Sequence, residues 1–227
     1  MKRENKKYLI VGLCLMAAFV LWTAAVCLVD VQPIGPQDSA VGFAAINGAF
    51  HAMTGVHMAL YNITDILSVI PLGCVVAFGM LGLVQLIRRK DLRKVDGDIL
   101  VLGGFYIVVL AFFCLFEVLD INYRPVLIEG VLEASYPSST TMLALCVMPS
   151  VMLQLRRRMK DGAAKRCTQA VLFVFTAFMV IGRLISGVHW LTDIIGGALL
   201  SAGLVLLYHA AGRMAEKKSS SDQEENL

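Results

Sequence analysis

Six apolar stretches alternate with polar segments along this chain, at 8–29, 66–87, 99–119, 138–155, 167–186 and 190–211. About 20 helical residues cross roughly 30 Å of hydrocarbon, so each stretch has a length that predicts a membrane-spanning helix. The connections are short except for 30–65, where Gly35 and Pro36 precede an interrupted apolar run containing Gly and Met. That segment is predicted to lie along the membrane surface or to fold over the helices. After Arg213 the sequence AEKKSSSDQEENL is polar throughout. Too little apolar surface is available there to offset the entropy of ordering, which predicts a disordered tail at 214–227. The expectation is an all-α, polytopic protein: one six-helix membrane domain over 1–213 and a short tail.

Composition strengthens this reading. The chain is 58% hydrophobic and 16% charged, with a mean hydropathy of +0.73. Soluble domains carry roughly 25% charged residues, so a soluble enzyme or a nucleic-acid-binding module is excluded. The first apolar run is longer than the roughly 7 to 15 residues of a secretory signal, and no small-residue cleavage site follows it, which predicts a retained anchor. Six cysteines lie in or at the ends of apolar runs without metal-ligand spacing and read as packing residues.

Charge supplies the direction of the spans. Of 20 Lys and Arg residues, all but Arg124 and Arg183 fall in four patches: 2–7, 88–94, 156–166 and 213–218. Every second connection is basic. Short cytoplasmic loops carry the excess of Lys and Arg, so both termini are predicted to be cytoplasmic in a multi-pass cell-membrane protein. Arg124 and Arg183 then lie at the outer face.

Each of those arginines sits in a stretch with chemical content. Between the fifth and sixth spans the chain reads GRLISGVHWLTD, from Gly182 to Asp193. His189 and Asp193 are four residues apart, which places them on one face if the last helix begins here. A carboxylate on one imidazole nitrogen leaves the other as an unprotonated base or nucleophile. A cap at a helix start is the plainer reading of the same pair. The other stretch is Asn122-Tyr123-Arg124-Pro125, followed by Tyr136-Pro137-Ser138-Ser139-Thr140-Thr141. Two guanidinium forks, hydroxyls and the backbone amides of a helix amino terminus are the donors a phosphoryl group needs.

In this order the three stretches resemble the type 2 phosphatidic acid phosphatase superfamily, membrane lipid phosphate phosphatases with a six-helix core. Their signature is Lys, six residues, Arg-Pro; then Pro-Ser-Gly-His; then Ser-Arg, five residues, His, three residues, Asp. Here Arg124-Pro125, Pro137-Ser138 and the Arg183, His189, Asp193 spacing match, over a core of about 99–211. The resemblance implies that His189 attacks phosphorus to form a phosphohistidine and that Asp193 holds its imidazole. Arg124, Arg183, Ser138, Ser139 and Thr140 would hold the phosphoryl oxygens, with no metal or other cofactor required.

Departures from the signature bear on substrate. Glu117 occupies the Lys position, Ser139 the Gly, Thr140 the second-motif His, and Gly182 a Ser. In the family that His protonates the leaving oxygen, which Thr140 cannot do. A lipid alkoxide, with a conjugate-acid pKa near the roughly 15.7 of water, suffers most from that loss. A phosphate monoester, with a second pKa of about 6, suffers least. The expected substrate is therefore a lipid diphosphate, with undecaprenyl diphosphate of a bacterial-type envelope as the example. Glu117 is open to three readings: pairing with Arg124, donating a hydrogen bond as the protonated acid, or recruiting a divalent cation with Asp120. His51 and His57 are candidates for a replacement acid if 30–65 folds over the site. The competing function is a non-catalytic lipid-phosphate binder or transporter on the same fold, with a phosphotransferase as a further enzyme reading.

Overall fold

The computed structural model describes residues 2–225, with side chains described over 3–215. The described residues are all-α, and the only extended pairing among them is three isolated bridges. Eight helices follow in order: α1 (Lys2–Leu28), α2 (Ala44–Thr54), α3 (Met58–Leu67), α4 (Val69–Arg89), α5 (Gly97–Val118), α6 (Ser139–Arg158), α7 (Ala163–Ile185) and α8 (Leu191–Glu225).

Among the described residues, five segments are long and apolar enough to cross a membrane: Arg3–Leu28, Met58–Arg89, Gly97–Val118, Ala163–Ile185 and Leu191–Ala215. The sixth predicted span is α6, which is less apolar because of where it sits. It packs against α4, α5, α7 and α8. Thr140, Thr141, Ser150 and Gln154 are buried along it, together with Met142, Cys146, Val147 and Met148. A helix enclosed by protein can carry polar groups that find partners there, whereas lipid-facing helices cannot. Their outer faces show the contrast: Leu21 on α1, Val76 on α4, Ile107 on α5 and Phe173 on α7 are all exposed.

Ser150 and Gln154 of α6 find partners. Gln154 donates to the Tyr208 hydroxyl of α8 at 2.7 Å, and Arg158 meets Asp98 of α5 at 2.8 Å. Tyr106 and Ser150 hydroxyls lie 3.0 Å apart. These pairs join three helices at the end of the bundle remote from His189. The apolar core runs beside them through Phe19, Leu102, Phe105, Tyr136, Leu200 and Leu204.

Two expectations change. The second span begins earlier than residue 66: α3 and α4 run almost end to end over 58–89, broken only at Ser68. The long 30–65 segment contributes α2, which packs on α8, and α3, which packs on α7. Its seam with the α7–α8 corner is tight. Gly187, at φ +69°, has no room for a side chain, since a Cβ there would stand 1.9 Å from the Gly55 carbonyl oxygen. At the far end, α8 continues as helix to Glu225, past the point where the sequence suggested a disordered tail. Of that tail, residues 226–227 and the side chains from 216 onward lie outside the described set.

Candidate active site

His189 stands in the corner between α7 and α8, with 3% of its surface exposed. Asp193, in the first turn of α8, is fully buried. Its Oδ2 accepts the Trp190 backbone N–H at 2.9 Å, and its Oδ1 accepts Asn122 Nδ2 at 3.3 Å. The carboxylate is thus fixed by its own helix start and by the loop after α5. Its Oδ2 lies 3.6 Å from His189 Nδ1, just beyond hydrogen-bond distance.

The opposite imidazole nitrogen, Nε2, lies 3.3 Å from an Arg124 amino group. Guanidinium can only donate, so Nε2 is the unprotonated nitrogen and Nδ1 carries the proton toward Asp193. Burial, first, and then the charges of Arg124 and Arg183 lower the His189 pKa to about 4, against the opposing pull of Asp193. Its imidazole is therefore neutral near pH 7, as a nucleophile requires.

Arg124 is placed by a hairpin-like excursion between α5 and α6. Its backbone N–H donates to the Glu133 carbonyl at 2.9 Å, and Tyr123 bridges to Ala134. Glu133 also brings a carboxylate oxygen within 2.9 Å of Arg124 Nε. The ion-pair partner of Arg124 is therefore Glu133 and not Glu117.

Arg183 is 1% exposed, and α3 surrounds it. It donates to the Tyr61 carbonyl and to Thr64 Oγ1, each at 3.2 Å, and meets Asp65 Oδ1 at 3.2 Å. Its guanidinium lies 4.4 Å from the centre of the Tyr61 ring, and that of Arg124 lies 5.8 Å from the same ring. One aromatic ring thus contacts both cations. Gly182 makes this contact possible: a Cβ at that position would stand 2.8 Å from Thr64 Cγ2. The Ser of the family signature has no room here.

The second stretch forms the start of α6. Ser138 is its N-cap and accepts the Thr141 N–H at 3.4 Å, while its own N–H donates to the Asp193 carbonyl at 3.2 Å. Ser138 therefore locks α6 to α8, and its hydroxyl is already engaged. A chamber of about 430 Å³ opens in front of His189, lined by Arg124, Ser139, Glu117, Asp120, Glu133 and the rings of Phe113 and Phe116, among others. Thr140 does not line it. It lies on a neighbouring cleft of about 510 Å³, walled by Leu72, Val75, Ile107, Leu110, Leu143 and Val147. Chamber and cleft share Phe113, Ser139 and Met142.

Of the sequence candidates, Arg124, Ser139, His189 and Glu117 thus meet in one chamber, and Asp193 supports it from behind. Arg183 lies behind Tyr61 and acts electrostatically on His189. His51 packs its ring 5.5 Å from Trp190, and His57 bonds the Thr54 carbonyl at 2.9 Å; neither lines the chamber. Among the described residues, no group of three or more His, Cys, Asp and Glu side chains is gathered in a metal-holding arrangement. Sequence reading missed Tyr61, Thr64, Asp65 and Glu133, and gave Asn122 no role of its own. The polar Asn-Ile-Thr-Asp run at 62–65, beside an otherwise apolar span, was the available signal.

No curated protein matches the chain by sequence. Among solved structures, it is similar to the first transmembrane PAP2 type phosphatidylglycerolphosphate phosphatase from Bacillus subtilis. The TM-score is 0.55 at 20% identity, covering 87% of this chain and 94% of that one. This similarity establishes the fold. The family model of the PAP2 superfamily matches residues 116–217, the segment that contains all three signature stretches from Arg124 to Asp193. Signature, fold and sequence model point the same way: over residues 116–217 the chain is similar to the PAP2 superfamily.

Proposed function

We propose that this protein is a membrane lipid phosphatase that works through a phosphohistidine on His189. The observation that carries the reading is the state of the imidazole: buried, neutral, and with Nε2 turned to Arg124 at the wall of a polar chamber. A binding protein needs cations for its lipid phosphate but has no use for an oriented nucleophile.

In this mechanism His189 Nε2 attacks phosphorus while Nδ1–H faces Asp193, which stabilises the positive charge that develops on the ring. Arg124 and the free N–H groups at the start of α6 stabilise the equatorial oxygens. Arg183 contributes charge from behind Tyr61. Phosphoryl transfer depends mainly on such positioning and charge, and these groups supply both. The apolar cleft beside the chamber suits the hydrocarbon part of the substrate, since it reaches the same residues, Ser139 and Met142, from the lipid side.

The finer assignment is a lipid diphosphate, with a polyprenyl diphosphate such as undecaprenyl diphosphate as the leading example. The support is residue 140, which offers no proton to the leaving oxygen. The alternation of basic connections supports an outward-facing site with both termini cytoplasmic. Phosphate release by purified protein from a polyprenyl diphosphate and from phosphatidic acid tests the assignment, with His189→Ala as the blank. We expect release that disappears in the variant while lipid binding remains. Undiminished turnover in His189→Ala would overturn the phosphohistidine.

A further inference from the structure

The two departures from the signature at 117 and 140 remove a phosphate-binding cation and a proton donor. Their places in the fold relate them. Thr140 is only 6% exposed and faces the apolar cleft, outside the chamber that His189 lines. Glu117, in the last turn of α5, lines the same chamber as His189. A proton donor to the leaving oxygen must share a cavity with the nucleophile, and of the two positions only 117 does.

Three carboxylates line that chamber, and their surroundings separate them. Glu133 lies on Arg124 Nε at 2.9 Å and positions this guanidinium. Asp120 lies against Tyr123, whose phenol its charge pushes up. Glu117 makes no hydrogen bond or ion pair among the described residues, and it is flanked by Phe113 and Phe116 on the chamber wall. It is the free carboxyl of the three. His189 meets this wall with 3% of its surface exposed, and its Nε2 has only the 3.3 Å contact with Arg124.

We infer that Glu117 is the proton donor to the leaving oxygen, so that the acid lost at position 140 has been regained at position 117. This rests on the phosphohistidine reading and extends its substrate class from diphosphates to lipid phosphate monoesters. In the first step the His189 Nε2 lone pair forms the N–P bond, the P–O bond to the lipid breaks, and the departing oxygen takes the Glu117 carboxyl proton. In the second step water attacks phosphorus and gives its proton to the Glu117 carboxylate. The N–P bond breaks, its electron pair returns to Nε2, and inorganic phosphate leaves.

Leaving-group dependence tests the inference, using full-length protein in lipid–detergent micelles. Phosphate release is measured from phosphatidic acid, a polyprenyl diphosphate and a soluble aryl phosphate for wild type, Glu117→Gln, Glu117→Asp and His189→Ala. General acid catalysis contributes roughly 10²- to 10⁴-fold, so Glu117→Gln is expected to lower the ratio of phosphatidic acid turnover to aryl phosphate turnover by about that factor. The diphosphate should follow the aryl phosphate, because neither leaving group needs a proton, and Glu117→Asp should recover part of the loss. Equal losses on all three substrates, or phosphatidic acid turnover untouched by Glu117→Gln, would overturn the proton-donor role. So would a wild type that cleaves the diphosphate but never phosphatidic acid, a result that leaves the phosphohistidine standing. Turnover surviving in His189→Ala would instead overturn the phosphohistidine itself.

Discussion

Arg183 has a neighbour on each side of its guanidinium, Asp65 and the Tyr61 ring, and their contributions differ in kind. The Asp65 side chain is 57% exposed, so water screens its pair with Arg183. Exposed pairs contribute about 1 kcal/mol or less. The Tyr61 ring lies 4.4 Å from a cation that is 1% exposed, and a desolvated cation–π contact is worth about 2 kcal/mol. Tyr61→Leu is therefore expected to lower stability more than Asp65→Asn, as measured by thermal unfolding in detergent, and a reversed order would show that the ion pair dominates. At this scale the sequence was informative where chemistry is local. The four-residue interval between His189 and Asp193 is a property of one helix start, and the structure puts both residues in one corner. Tyr61, Thr64 and Asp65 were not legible, because they meet Arg183 across roughly 120 residues of chain and only through the approach of α3 to α7.

Helices are recognisable from sequence when they face lipid, and less so when they face protein. The runs that became α1, α4, α5 and α7 have apolar outer faces and stand out. The α6 run was legible by length, although its Ser, Thr and Gln residues are explained only by its central place. The pair α2 and α3 was not legible, since each is interrupted by polar residues that turn out to face protein: Asn47 bonds Thr192, and Thr64 meets Arg183. Gly182 shows how one residue decides a helix contact. Gly182→Ser adds a Cβ within 2.8 Å of Thr64 and must shift α3 away from α7. Overpacking of this kind costs about 1–3 kcal/mol. We expect that loss of stability together with reduced phosphate affinity, read as a raised KM, because Thr64 no longer meets Arg183. An unchanged KM would mean that α3 does not position the arginine.

Across the whole molecule, the polar chamber and the apolar cleft meet at Phe113, Ser139 and Met142, so head and tail of a lipid have adjoining places. Leu110→Trp would fill part of the cleft while leaving the chamber walls intact. We expect it to raise KM for a long-chain lipid phosphate and to leave turnover of a soluble aryl phosphate unchanged. An equal effect on both substrates would remove the cleft from substrate binding. Charge alternation and apolar run length made the bundle legible from sequence. The cleft was not, because it depends on how far α4 and α5 stand from α6.

The anchoring of Asp193 and Thr192 by residues far upstream carries a last consequence. Trp22 on α1 donates to the Thr192 carbonyl, Asn47 on α2 bonds its hydroxyl, and the Gly42 N–H donates to the same Asn122 that supports Asp193. All three lie before residue 116, where the segment matching the family begins. The corner that holds His189 is therefore completed by the amino-terminal half. A fragment carrying only the signature would hold every matched residue of it and lack their supports, whereas the two halves produced as separate polypeptides contain everything needed to rebuild the corner by association.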